Sequence, residues 1–85
     1  GNVMKLLVRN LDRSTSEKAL RALFEAFGDV QSCDLVMDKV SGDSKGFGFV
    51  EMPTVGEAKA AMKSLNNKKV GANNIRVKKA EDKKV

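Results

Sequence analysis

The chain has 85 residues with a net charge of +5, and 41% of its residues are hydrophobic. This is enough for one domain around a modest core, and too apolar for a disordered polyelectrolyte. One cysteine and no histidine exclude an intramolecular disulfide, Cys/His zinc sites and His-based nucleophilic catalysis.

No apolar run approaches the ~18 residues of a membrane span, and the opening residues turn polar too early for a signal peptide. Residues 1–3 read as a remnant ahead of Met4, residues 4–80 as one domain, and residues 81–85 as a flexible tail. Charge is uneven. Residues 1–44 carry six Lys/Arg against seven Asp/Glu, whereas residues 45–85 carry ten against four. A basic excess confined to the second half suits a polyanionic partner.

The first strand is Lys5-Leu6-Leu7-Val8-Arg9, with Leu6 and Val8 inward and Lys5, Leu7 and Arg9 outward. A helix follows, capped by Ser14 (with Glu17 closing a capping box) or by Thr15. Leu20, Leu23, Phe24 and Phe27 form its apolar stripe, and Gly28 is expected to end it with a positive φ. Val30 to Met37 is the second strand, with Cys33, Leu35 and Met37 inward and Asp34 and Val36 outward. Cys33 is expected to be a small buried apolar residue, consistent with a reducing compartment.

After a polar turn comes KGFGFVEM, residues 45–52, which completes an antiparallel hairpin with the second strand. Its parity puts Val50 and Met52 in the core and Phe47, Phe49 and Glu51 on the opposite face. Pro53 stops it. Thr54 caps a second helix, about residues 55–66, whose stripe is Val55, Ala58, Ala61, Met62 and Leu65. Val70 tucks back onto the core. Residues 74–78 form a last strand with Ile75 and Val77 inward and Arg76 and Lys78 outward.

This β-α-β-β-α-β order predicts an α+β, ferredoxin-like sandwich: a four-stranded antiparallel sheet with two helices on one face. The other face is left open, with Leu7, Phe47 and Phe49 at its centre and Lys5, Arg9, Arg76, Lys78 and Lys45 around them. Aromatic rings stack on nucleobases and ammonium or guanidinium groups meet phosphates. Single strands expose base faces that a duplex hides. A partner protein covering the phenylalanines is the competing reading of the same patch.

KGFGFVEM resembles the RNP1 pattern of the RNA recognition motif family at seven of eight places. LLVRNL, residues 6–11, resembles the RNP2 pattern of that family at Leu6, Val8, Asn10 and Leu11. The resemblance covers about residues 4–80. It implies that Phe47 and Phe49 contact bases or sugars, that Lys45 pairs with a phosphate, and that Lys78, Lys79 and Ala80 meet bases at the exit of the last strand. Asn10 is expected to end the first strand structurally.

Leu7 departs from the family pattern, which usually has a stacking aromatic there. One lost stack costs about 1–3 kcal/mol, so affinity is expected to be on the order of micromolar. The resemblance implies binding of single-stranded RNA, with single-stranded DNA or a protein partner as alternatives, by a cofactor-free monomer acting in post-transcriptional regulation or RNA chaperoning. The compact single motif resembles small bacterial RNA-binding proteins, so a bacterial cytoplasm is the expected setting, or a nucleus if the source is eukaryotic. Catalysis is not expected. Acylphosphatases share the topology, but Arg9 and Arg13 follow no glycine-rich loop and the second strand lacks an asparagine.

Overall fold

A computed structural model describes residues 3–80. The sequence-predicted tail at 81–85, and Gly1 and Asn2 of the supposed remnant, lie outside the described residues. The elements are β1 (Met4–Arg9), α1 (Glu17–Glu25), β2 (Ser32–Met37), β3 (Ser44–Met52), α2 (Val55–Leu65), β4 (Lys69–Val70), β5 (Asn73–Asn74) and β6 (Arg76–Lys79). Four strands form one antiparallel sheet in the order β2-β3-β1-β6. The two RNP-like strands, β1 and β3, are therefore central neighbours, as expected.

Alternation puts Leu6, Val8, Val50 and Met52 on the helix-covered face. They are fully buried there with Leu20 and Phe24 from α1, Ala58 and Ala61 from α2, and Ile75. Leu23, Phe27, Leu35, Met62 and Val70 pack against this core from its margin. Among the described residues no helix is long and apolar enough to cross a membrane.

Five local expectations need correction. The N-cap of α1 is Ser16, whose hydroxyl oxygen accepts from the Ala19 N–H at 3.1 Å. Ser14 is unavailable because its N–H and hydroxyl both donate to the Asp12 carboxylate at 2.9 Å. Thr15 is buried, with its N–H donating to the Asp12 carbonyl. Glu17 closes no capping box; its carboxylate accepts the Leu35 N–H at 3.1 Å.

Helix α1 ends at Glu25, short of Gly28. Gly28 serves close packing rather than a left-handed turn, because a β-carbon there would lie 2.8 Å from the Cβ of Glu57. Thr54 takes the N-cap position of α2 without a side-chain cap bond.

In the hairpin the register jumps from Leu35–Gly48 to Met37–Ser44. Two steps along β2 match four along β3, so β3 carries two extra residues, and Gly46 takes a φ of +87° within the bulge. Met37 keeps the side of Leu35, with which it lines a recess at the N-terminal end of α1, but it lies past the cover of that helix and is 49% exposed, against the expectation of burial.

The last strand begins at Arg76 rather than Asn74. Asn73–Asn74 instead pairs with Lys69–Val70 in a small hairpin. Asp12 ties that hairpin to the loop after β1 by accepting the Ala72 N–H at 2.8 Å. These bonds hold its carboxyl below the usual carboxylate range, the Ser14 backbone bond contributing most.

Candidate nucleic-acid interface

The uncovered face is a grid set by the strand register. One row runs Asp34–Phe49–Leu7–Lys78 across β2, β3, β1 and β6. The next contains Ser32, Glu51 and Lys5, with the Ser32 hydroxyl donating to the Glu51 carboxylate at 2.9 Å. Toward the other end of the sheet Arg9 stands opposite Arg76.

Phe47 and Phe49 lie edge to face, with ring centroids 6.3 Å apart and planes at 88°. The Lys5 ammonium sits over the Phe49 ring, 4.9 Å from its centroid. Both phenylalanines, Leu7 and Lys5 are half-buried, whereas Arg9, Lys45, Arg76 and Lys78 are exposed. The rings are thus supported from below yet reachable from solvent. Because they are perpendicular, one flat base cannot stack on both; each ring takes a different group of a ligand.

Gly48 keeps this face flat against what lies behind it. A β-carbon there would lie 2.6 Å from the Asp34 carbonyl oxygen and 3.3 Å from Leu20 Cδ2. Its neighbours Phe47 and Phe49 can therefore stand outward while β3 packs tightly on β2 and α1.

At the Phe47 end, Arg9, Arg13, Lys45, Phe47 and Asn73 line an open recess of about 350 Å³. Arg13 and Asn73 were not singled out from the sequence. Arg13 could have been: it is a basic residue in the loop leaving β1, at the sheet end where Arg9 and Lys45 emerge. Asn73 could not, because its position depends on the small β4–β5 hairpin. Asn10 has a positive φ of 59° and donates its side-chain amide to the Asn74 carbonyl at 2.8 Å. This is a structural role in ending β1.

One of the expected residues stands apart from the platform. Lys79 is in register with buried Leu6, so its parity is that of the helix-covered face, not that of Phe49. The Ala80 N–H donates to the Lys5 carbonyl at 2.8 Å, which carries the strand pairing on to the row of Lys5 with the parity of Lys78. Arg76 is outward as expected, with its Nε donating to Asn66 Oδ1 over 3.4 Å at the sheet edge.

Comparison with known proteins gives a consistent family. The profile of the RNA recognition motif matches residues 6–76. The chain is 43% identical over 74 residues to a chloroplast 31 kDa ribonucleoprotein of Nicotiana plumbaginifolia, covering 87% of this chain and 25% of that protein. It is 37% identical over 78 residues to mitochondrial glycine-rich RNA-binding protein 2 of Arabidopsis thaliana, covering 92% of this chain and 49% of that protein. The chain thus spans half or less of these relatives.

Among solved structures, RNA Binding Protein PG1 superposes with a TM-score of 0.89 at 32% identity, over 96% of this chain and 99% of that one. A Sxl-lethal protein/RNA complex superposes with a TM-score of 0.89 at 28% identity, over 98% of this chain and 50% of that one. The bacterial cytoplasmic setting expected from the sequence is overturned by these relatives, which are chloroplast and mitochondrial proteins. The platform chemistry is the same in any compartment, so its residues carry no signal of address.

Proposed function

Because this chain belongs to the RNA recognition motif family, we propose that it binds single-stranded RNA across the open face of its four-stranded sheet. The observation that carries this reading is the pair of perpendicular rings, Phe47 and Phe49, at the centre of that face with the Lys5 ammonium beside them. A base stacks on Phe49, in the row it shares with Leu7 and Lys78. The edge-to-face ring of Phe47 packs against the next sugar or base.

Lys45, Arg9 and Arg13 at one end and Lys5 and Lys78 at the other receive phosphates. Asp34 and Glu51 lie toward the β2 side, which repels phosphate and keeps the backbone path over β1, β3 and β6. The protein acts as a monomer without a cofactor. It works on organelle transcripts, a setting supported by its chloroplast and mitochondrial relatives. It binds RNA without catalysing a reaction on it, a reading supported by its ribonucleoprotein relatives.

Amide chemical-shift mapping with a mixed-sequence RNA octamer tests this reading. Shifts are expected at Lys5, Leu7, Phe47, Phe49 and Lys78. Shifts confined to α1 and α2 would overturn it, and equal shifts with the matching DNA octamer would remove the preference for RNA.

A further inference from the structure

The second half of the chain carries more lysine than the platform uses. Three of these lysines, Lys59, Lys63 and Lys79, converge elsewhere, beside Lys78. Between α2 and the outer edge of β6 runs a groove of about 790 Å³ lined by Val3, Met4, Val55, Lys59, Met62, Lys63, Asn66, Val77, Lys78 and Lys79. Its floor is aliphatic, and no acidic residue among the described residues lines it.

On α2 the lining residues Val55, Lys59, Met62, Lys63 and Asn66 fall on one helical stripe. Val55 is 38% exposed and Val3 40% exposed, so two of the large apolar side chains left in solvent meet here. Among the described residues the only ion pair is Arg21–Glu25, so Lys59, Lys63 and Lys79 form none with them. Lys79, which the register turns away from Phe49, joins this groove instead.

We propose that this groove docks an acidic amphipathic helix of a partner polypeptide. Charge complementarity selects the acid: carboxylates on the flanks of such a helix meet Lys59 and Lys63 on one wall and Lys79 on the other. The floor selects the apolar stripe, because valine and methionine side chains accept leucine or phenylalanine and adapt to their shape.

RNA fits less well, since no aromatic ring in the lining offers a base a stacking partner. An added β-strand also fits less well. The outward Val77 N–H on the β6 edge already donates to Asn66 Oδ1 at 3.1 Å, which blocks strand pairing there. The groove lies behind the edge of the sheet, so occupying it leaves the Phe47–Phe49 face open.

The test uses a fluorescent synthetic helix about five turns long, with Leu at i, i+3, i+4 and i+7 and Glu elsewhere, titrated into the full chain with amide shift mapping. The expected result is saturable binding with shifts at Val55, Lys59, Met62, Lys63 and Val77. Binding should weaken roughly tenfold in Lys59→Glu/Lys63→Glu, while RNA affinity at the sheet stays unchanged. Circular dichroism confirms that this surface variant is folded.

Equal binding of a control peptide with Leu replaced by Ser would reduce the effect to charge and overturn the proposal. So would shifts confined to the sheet face, or an RNA octamer that shifts the groove residues and is weakened by the same variant. No binding at all would also overturn it, including the case in which the chain's own residues 81–85 fill the groove.

Discussion

The Lys5 ammonium lies 4.9 Å from the centroid of the Phe49 ring, in the space a stacked base would take. In the free protein this cation–π contact is worth about 0.5–1 kcal/mol and shields an exposed aromatic. A base arriving on Phe49 displaces the ammonium toward the flanking phosphate. Lys5 therefore both opposes stacking and rewards it.

Replacing Lys5 should separate these effects. Lys5→Ala is expected to weaken RNA binding at low salt and to reduce the log–log salt slope by about 0.7, the value for one single-strand phosphate. Its deficit should shrink as salt rises, because the lost phosphate contact is the part of the wild-type affinity that salt weakens. Anisotropy titrations across a salt series check this; an unchanged slope would place Lys5 outside the phosphate path.

Leu7 stands between Phe49 and Lys78 in the row that crosses the sheet. Leu7→Phe adds a stacking ring where the family usually has one. A stack of about 1–3 kcal/mol corresponds to a gain of roughly 5- to 150-fold in affinity. Calorimetry with the same RNA octamer measures it. No gain would mean that the ligand path bypasses β1.

Gly48 has no room for a side chain, since a β-carbon would meet the Asp34 carbonyl oxygen at 2.6 Å. Gly48→Ala should cost about 1–3 kcal/mol by overpacking, read as a lower urea midpoint. RNA affinity should also fall, because the strain separates β2 from β3 beneath Phe49. A midpoint equal to wild type would show that β2 can move away without penalty.

The Cys33 thiol is pushed up to about 11, chiefly by burial and then by the negative charge of Glu17. It should stay neutral at pH 8 and react slowly with a thiol-disulfide reagent until the protein is unfolded. The sign of the linked stability follows. The unfolded thiol ionises near ~8.5 while the folded one does not. This contribution is therefore intact below about pH 8.5 and declines from there toward 11. Urea midpoints of wild type and Cys33→Ala against pH test it, the variant being expected to lose less stability on that limb.

Strand parity was the most legible part of the fold. Because one face of the sheet is buried, Val50 and Met52 fix the inward side of β3, and Phe47 and Phe49 can only stand on the other. Helix positions followed from their apolar stripes in the same way. What escaped the sequence depended on contacts across long separations.

Ser14, Thr15 and Ser16 are equivalent as cap residues until Asp12 takes Ser14 and the core takes Thr15. Met37 has the inward parity, yet it lies past the end of α1 and nothing among the described residues covers it. The small hairpin of β4 and β5 has no apolar alternation to announce it, yet it brings Asn73 to the platform. Lys79 is different. Its parity with Ile75 and Val77 was already readable, and assigning it by nearness to the strand exit obscured the groove beside α2.

The most direct test of the account is an anisotropy titration of a fluorescent mixed-sequence RNA octamer with wild type and Phe47→Ala/Phe49→Ala, with circular dichroism to confirm the fold of the variant. Wild-type binding that is abolished or greatly weakened in the folded variant is the predicted result. Equal binding by both proteins would contradict it, and would leave the basic residues acting alone while the rings serve another partner.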